Sequence, residues 1–261
     1  LSDRDYRSSP FFIGKREFFY SRKKGEQHNS LFTILDGKEL LIFSPNNLDS
    51  SGNTSMSGVD FTEKGNIVAI GTQYKGDEVQ TYRLYDTKTG TKIGQDIVGL
   101  RNFSFAKDES YAYITVQNRE MIDSQTPIKV YKHKLGTPRD NDILLAQPKD
   151  AKDVASVWDT KHGGLTFFST GDFYSNTLSY RKQEDTTEPK IIFSSKEYTA
   201  FPDIHDGKIY FKSNYEAPNY KIFVTDIENP DFKYWVDFYP EKESVLESFV
   251  ITSDYVLVLY K

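Results

Sequence analysis

The sequence predicts an all-β fold, a β-propeller of four-stranded antiparallel blades, on three observations. A weak unit recurs about every fifty residues; aromatic side chains make up 15% of the chain, with 18 Tyr and 19 Phe; and apolar residues alternate with period two, with few runs at helical spacing. Ring and β-branched side chains suit a pleated, half-buried surface, so this composition favours strands.

Each repeat opens with an alternating apolar segment, a tight polar turn, and a second strand rich in aromatic and β-branched residues. The first is Phe11-Phe12-Ile13, Gly14-Lys15, then Glu17 to Ser21. The second is Val59-Asp60-Phe61, Glu63-Lys64-Gly65, then Ile67 to Gly71. The third is Phe103-Ser104-Phe105, Lys107-Asp108-Glu109, then Tyr111 to Thr115. The fourth is Val157-Trp158-Asp159, Lys161-His162-Gly163, then Leu165 to Ser169. The fifth is Ile204, His205-Asp206-Gly207, then Ile209 to Ser213. The sixth begins with Phe249-Val250-Ile251, Thr252-Ser253-Asp254, then Val256 to Leu259. With Lys15, Gly65, Glu109, Gly163, Gly207 and Asp254 as anchors, the intervals are about 50, 44, 54, 44 and 47 residues, the range of propeller blades.

A third strand follows each hairpin, as in Thr81–Tyr85, Ile128–Lys132 and Tyr220–Val224. Gly/Pro turns such as Asp86–Gly90 and Leu135–Pro138 then lead to a short fourth strand. The expected blades cover residues 10–50, 56–98, 100–147, 153–195 and 198–239, with 245–261 opening a sixth. A β-sandwich would show similar strand and turn spacing, but at 261 residues it would have to be two domains, and no Pro/Gly/Ser-rich linker divides the chain. The last residues read as mid-strand, so the chain reads as part of a larger propeller, or else as an unusual ring, since a partial ring leaves two open sheet edges.

Composition narrows the function. The formal net charge is -5 from 33 basic and 38 acidic side chains, well mixed, so no patch for nucleic acid or anionic lipid stands out. The absence of Cys excludes disulfides, thiolate metal sites and a cysteine nucleophile within the chain. No apolar run approaches the roughly 20 residues of a membrane helix. The N-terminus, Leu1-Ser2-Asp3-Arg4-Asp5, shows neither a basic n-region nor an apolar h-region. The expected compartment is the cytoplasm, with the periplasm or the exterior, after removal of a leader, as the alternative.

Serine hydrolysis needs a Ser, a His base and an acidic orienter, usually with the Ser on a Gly-x-Ser-x-Gly elbow. No such elbow occurs, and of the four histidines, His28, His133, His162 and His205, the last two sit in hairpin turns beside glycine, where solvated side chains are expected. No zinc, calcium or phosphate-loop motif is present; Asp49, Gly52 and Asn53 read as a connecting turn. Arg22-Lys23-Lys24, Gln183-Glu184-Asp185 and Glu241-Lys242-Glu243 read as solvated loops, and Trp158 and Trp235 as packing between blades.

Several segments resemble the prolyl oligopeptidase family, in its order and along nearly the whole chain. Gly25-Glu26-Gln27-His28-Asn29-Ser30-Leu31-Phe32 is similar to a Gly-x-Gln-Asn segment of its first blade. Asp49 to Thr54 with Gly58 to Gly65 is similar to its passage into the second. Tyr131-Lys132-His133-Lys134-Leu135-Gly136-Thr137 with Asp142-Ile143-Leu144 resembles its Tyr-x-His-x-Leu-Gly-Thr … Asp-Ile-Leu stretch. Ala217 to Lys221 with Val245-Leu246-Glu247 resembles the entry to its sixth blade.

The resemblance implies a seven-bladed propeller, unlatched between first and last blades, over a C-terminal α/β-hydrolase domain that carries the whole catalytic triad. This chain would supply blades one to five and the start of six. It would act as gate and size filter of a serine endopeptidase that cleaves short peptides after proline, with no cofactor and no metal, and would be inactive alone. The family's apolar subsite upstream of the cleaved proline draws on the starts of the inner strands of blades three and four. That places Leu100, Asn102 and Val154 at the subsite or the domain interface, with Leu100 departing from the family's aromatic. A stand-alone interaction propeller, or the propeller of an oligopeptidase B or a dipeptidyl peptidase, is the alternative.

Overall fold

The structure, a computed structural model, describes residues 4–252 and 254–261; Leu1, Ser2 and Asp3 of the N-terminal reading and Ser253 of the sixth turn lie outside the described residues. The chain divides into two units, residues 1–145 and 146–261. All the sheets are antiparallel, and among the described residues no helix is long and apolar enough to cross a membrane.

In the first unit, β1 (Tyr6–Arg7), β2 (Phe11–Ile13), β3 (Arg16–Arg22), β4 (Ser30–Leu35) and β5 (Lys38–Phe43) form one sheet in the order β1-β3-β4-β5, with β2 also pairing β3. After the single-turn helix α1 (Pro45–Leu48) come β6 (Thr54–Phe61), β7 (Ile67–Tyr74), β8 (Gln80–Asp86), β9 (Lys92–Phe105), β10 (Tyr111–Val116), a short helix α2 (Arg119–Asp123), β11 (Lys129–Lys134) and β12 (Ile143–Ala146). These seven strands lie in one sheet in sequence order. In the second unit, β13 (Val154–Asp159), β14 (Leu165–Gly171), β15 (Asn176–Lys182) and β16 (Lys190–Ser194) make a four-stranded sheet. A second is made by β17 (Ala200–His205), β18 (Lys208–Ser213), β19 (Lys221–Asp226) and β20 (Val236–Tyr239), and β21 (Leu246–Ile251) pairs β22 (Val256–Tyr260) alone.

The second strands of the second to fifth repeats are the most buried. Val68 to Thr72, Ala112 to Thr115, Leu165 to Phe168 and Ile209 to Phe211 are buried without a break. Successive sheets within a unit pack face to face through their second and third strands. Phe18, Leu31 and Ile42 meet Val68 and Ile70; Phe167, Leu178 and Phe193 meet Phe211, Phe223 and Trp235; and Tyr210 and Ile222 meet Leu246. Complete burial of Phe18, Phe167 or Phe211 is worth about 1.5–3 kcal/mol each. Trp235 stacks between Phe193 of one sheet and Phe211 of the next, with centroids 5.7 and 3.7 Å away, and its Nε1–H donates to Pro230 O at 2.9 Å. Trp158 stacks on Phe167 of its own sheet.

Side chains also join neighbouring repeats. Asn176 accepts from Ala200 N and donates to Ala200 O, both at 2.9 Å, so its amide imitates one rung of backbone pairing between two sheets. Between the second and third repeats the joint is Asp60, whose Oδ2 accepts from Phe105 N at 2.7 Å. Burial raises the pKa of Asp60, opposed by its bonds from Phe105 and Phe61. The same burial, reinforced by the Asp60 charge, pushes the Tyr82 hydroxyl up to about 12. Thr62 and Thr160 occupy equivalent turns, each exchanging hydrogen bonds with the residue five positions on, Ile67 or Leu165.

The expected second and third blades meet between residues 98 and 100, and β9 runs through this point for 14 residues. Its first part pairs β8 and its second pairs β10, and the exchange of partners falls at Leu100, which faces both Gln80 and Val116. Gly99, at φ +74°, supplies the bend without interrupting the strand, and its carbonyl accepts from Gln117 N at 3.0 Å.

Candidate functional site

Leu100, Asn102 and Val154 occupy different surroundings. Leu100 is 0% exposed and packs with Tyr82, Phe103 and Ile114, so the side chain expected to face a subsite is a core anchor at the point where β9 changes partners. Its neighbours in sequence do reach solvent. Arg101 donates to Gln117 Oε1 at 2.8 Å and lies 3.4 Å from Glu78, and its carbonyl accepts from Gln80 Nε2 at 3.2 Å. Asn102, exposed, pairs with Thr115. This end of the sheet is therefore polar. It is bordered by α2, whose first turn is capped by the Asn118 side chain accepting from Met121 N at 2.9 Å, and by the Arg119–Asp77 ion pair. The Asp77 carboxyl is held below its usual range by the Val79 N–H and by Arg119.

Val154 opens β13 in the other unit and is 48% exposed. It faces Gly171 across the ladder, where the absence of a side chain leaves its flank open. A Cβ on Gly171 would fall 2.1 Å from Ser175 O, so this position has no room for any other residue. The turn that follows carries two aromatic side chains that the sequence reading did not single out, Phe173 at 88% and Tyr174 at 72% exposure, set edge to face at 5.2 Å. Asp172 holds the turn rigid. Its Oδ1 accepts from Tyr174 N, Ser175 N and Ser175 Oγ at 2.9, 2.9 and 3.1 Å, and these bonds lower its pKa. The Asp-Phe-Tyr-Ser tetrapeptide carries an Asx-turn signal in its sequence, but only exposure reveals that both rings point outward. Phe173 and Tyr174 thus form an exposed aromatic pair on a hydrogen-bonded turn, next to the rung where Val154 faces Gly171.

The four histidines lie in four different strands or turns. His28 bonds to Gly52 O at 2.7 Å, His205 lies 3.4 Å from Asp206, and His162 is exposed in its turn. His133 is buried, with Nδ1 2.7 Å from Asp142 Oδ1, while Asp142 Oδ2 accepts from Arg139 Nε at 3.1 Å. This pair ties β11 to the turn before β12, which gives a physical reason for His and Asp in the Tyr-x-His-x-Leu-Gly-Thr … Asp-Ile-Leu stretch. None of these histidine partners is a serine. Among the described residues no three His, Asp or Glu side chains come together as a metal-binding set. Asp49 accepts from Ser51 N, Ser51 Oγ and Thr54 Oγ1 within a turn at the end of α1.

The family model for the prolyl oligopeptidase N-terminal β-propeller domain matches residues 2–261. A prolyl endopeptidase of Elizabethkingia meningoseptica is 25% identical over 254 residues, covering 92% of this chain and 36% of that protein, so the chain spans about a third of the length of this relative. A structure from work on two prolyl endopeptidases and their inter-domain dynamics superposes with a TM-score of 0.89 at 17% identity, covering 99% of this chain and 40% of the other. Prolyl oligopeptidase B of Galerina marginata, bound to a 35-mer hydrolysis and macrocyclization substrate, superposes with a TM-score of 0.83 at 15% identity, covering 99% and 41%. With antiparallel sheets following one another along the chain and a family model that matches residues 2–261, the chain belongs to the prolyl oligopeptidase N-terminal β-propeller domain family.

Proposed function

We propose that the chain is the gate and size filter of a serine endopeptidase that cleaves peptides after proline, the α/β-hydrolase domain with its triad lying outside these 261 residues. The observation that carries this reading is the match to the family's propeller domain over residues 2–261, together with a curated relative that is a prolyl endopeptidase. The physical basis is exclusion. A ring of sheets passes an extended chain, rejects a folded domain, and keeps bulk water from the chemistry. The Galerina marginata neighbour holds a 35-mer substrate, which favours a filter against folded structure over one against chain length alone.

In this reading the exposed Val154, Phe173 and Tyr174 and the polar end at Arg101 and Asn102 are surfaces for the catalytic domain or the peptide, with Leu100 holding the second in register. Exposed aromatic residues on rigid turns are efficient contact groups, since little side-chain freedom is lost on binding.

The test compares the full-length product with a variant lacking the propeller on two substrates: a Gly-Pro amide and a small folded protein with an exposed proline. The intact protein is expected to cleave the amide and spare the folded protein, and the truncated one to cleave both. Equal discrimination with and without the propeller would refute the filter.

A further inference from the structure

In the second unit a recess of about 290 Å³ opens beside the outer strand β16. It is lined by the rings of Tyr198, Tyr215, Phe232 and Phe193 together with Ser194 and Ser195. The rings meet edge to face in a chain: Tyr198 on Tyr215 at 5.3 Å and 76°, Tyr215 on Phe232 at 4.9 Å and 84°, and Phe232 on Phe193 at 5.6 Å and 73°. Trp235 and Phe223 back this wall, so the rings are fixed before any ligand arrives. The volume is at the small end of ligand pockets and has room for one or two amino-acid residues.

The polar atoms of the recess select what it can take. Ser194 Oγ is engaged with Thr177 Oγ1 at 2.8 Å, and Ser195 Oγ accepts from Glu197 N and Tyr198 N, both at 3.0 Å. The hydroxyls of Tyr198 and Tyr215 have no hydrogen-bond partner among the described residues, and each can donate. Asp231, beside Phe232, is neutralised by Lys190, whose Nζ is 2.8 Å from Oδ1 and 3.0 Å from Oδ2. Free donors and the absence of a free carboxylate in the lining disfavour a cation. Together with the apolar ring faces they fit a segment that offers carbonyl oxygens and an apolar ring but no backbone N–H that would need an acceptor.

We propose that this recess binds a proline-bearing, extended peptide segment, seating a pyrrolidine ring among Tyr198, Tyr215 and Phe232, with the tyrosine hydroxyls donating to its carbonyls. Polyproline II segments are preformed, carry solvated carbonyls and dock in aromatic-lined grooves, so binding them costs little ordering entropy. The site deepens the proline-peptidase reading and rests on it for the source of the ligand: it would hold a part of the substrate away from the bond that is cut.

The experiment is calorimetric titration of the full-length product, treated with a serine-directed fluorophosphonate to silence the reaction centre, with capped hexaproline. One peptide is expected to bind per chain with a Kd of roughly 0.1–1 mM. Tyr198→Phe and Tyr215→Phe keep the ring packing and are each expected to weaken binding about three- to tenfold. Ile191, 59% exposed and lining the same recess, provides a second route: Ile191→Arg places a guanidinium over the rings and is expected to abolish binding. No binding of hexaproline, binding unchanged in all three variants, or equal binding of capped hexaalanine or tetramethylammonium would each overturn the proposal. Hydrolysis of a Gly-Pro amide by untreated protein is measured in parallel. Its absence with hexaproline binding intact sinks only the peptidase reading, and the reverse result sinks only this site.

Discussion

Asn176 shows how much one buried side chain can contribute to joining two sheets. Replacing it with Ala leaves the Ala200 N–H and C=O unpaired where water does not reach, and Asn176→Ala is expected to cost about 2–3 kcal/mol, read from urea unfolding. Asp60 does the equivalent work between the second and third repeats while carrying a charge that burial opposes. Its folded-state pKa is raised, so in the window between 3.8 and that higher value the unfolded chain loses its proton first, and stability falls as pH rises. Asp60→Asn is expected to flatten this slope, because an amide oxygen still accepts from Phe105 N without ionising. Tyr82 acts alike at the alkaline end: with the folded hydroxyl pushed up to about 12, stability is expected to fall as pH rises from 10 to 12, and Tyr82→Phe to remove that fall. Stability measured against pH for both variants decides these points. None of the three residues is conspicuous in the sequence, since an isolated Asn, Asp or Tyr in a strand gives no sign of the partner it will meet 20 to 45 positions away.

At the level of elements, the hairpin turns and the buried second strands were legible, because alternation, β-branching and Gly-containing turns all point the same way at Gly65, Gly163 and Gly207. The course of β9 was not. Only the pairing of Leu100 with both Gln80 and Val116 shows that one strand continues through the bend at Gly99. The candidate site was legible in part for the same reason. Period-two alternation places Leu100 and Asn102 on one face, but the register shift between Thr115 and Val116 sets Leu100 opposite Val116 and Asn102 opposite Thr115, so the two side chains face opposite sides, the first buried and the second exposed. The turn after Gly171 offers a direct test of element rigidity. Gly171→Ala forces a Cβ onto the Ser175 carbonyl and is expected to cost about 1–3 kcal/mol. It should also shift the fluorescence of a Trp placed at the exposed Phe173 position.

For the whole molecule, the repeat and the family were readable because segments spread over most of the chain agreed, while the proline-accepting recess was not, since Tyr198, Tyr215 and Phe232 meet only after folding. The hairpin of β21 and β22 presents Val250, Leu257 and Leu259 to solvent, together with a free strand edge. Expressed by itself, the 261-residue chain is therefore expected to self-associate, and Leu257→Lys with Leu259→Lys to return it to a monomer in sedimentation velocity. A monomeric parent chain would count against this.

The shared strand β9 also limits where such a molecule can come apart. Ladder bonds on both sides of Leu100 belong to one continuous backbone, so the second and third repeats cannot part without fraying that strand. In native-state amide exchange the amides flanking this point in β8, β9 and β10 should therefore open with a single free energy. A passage for peptide made by parting neighbouring repeats has to form at a seam other than this one.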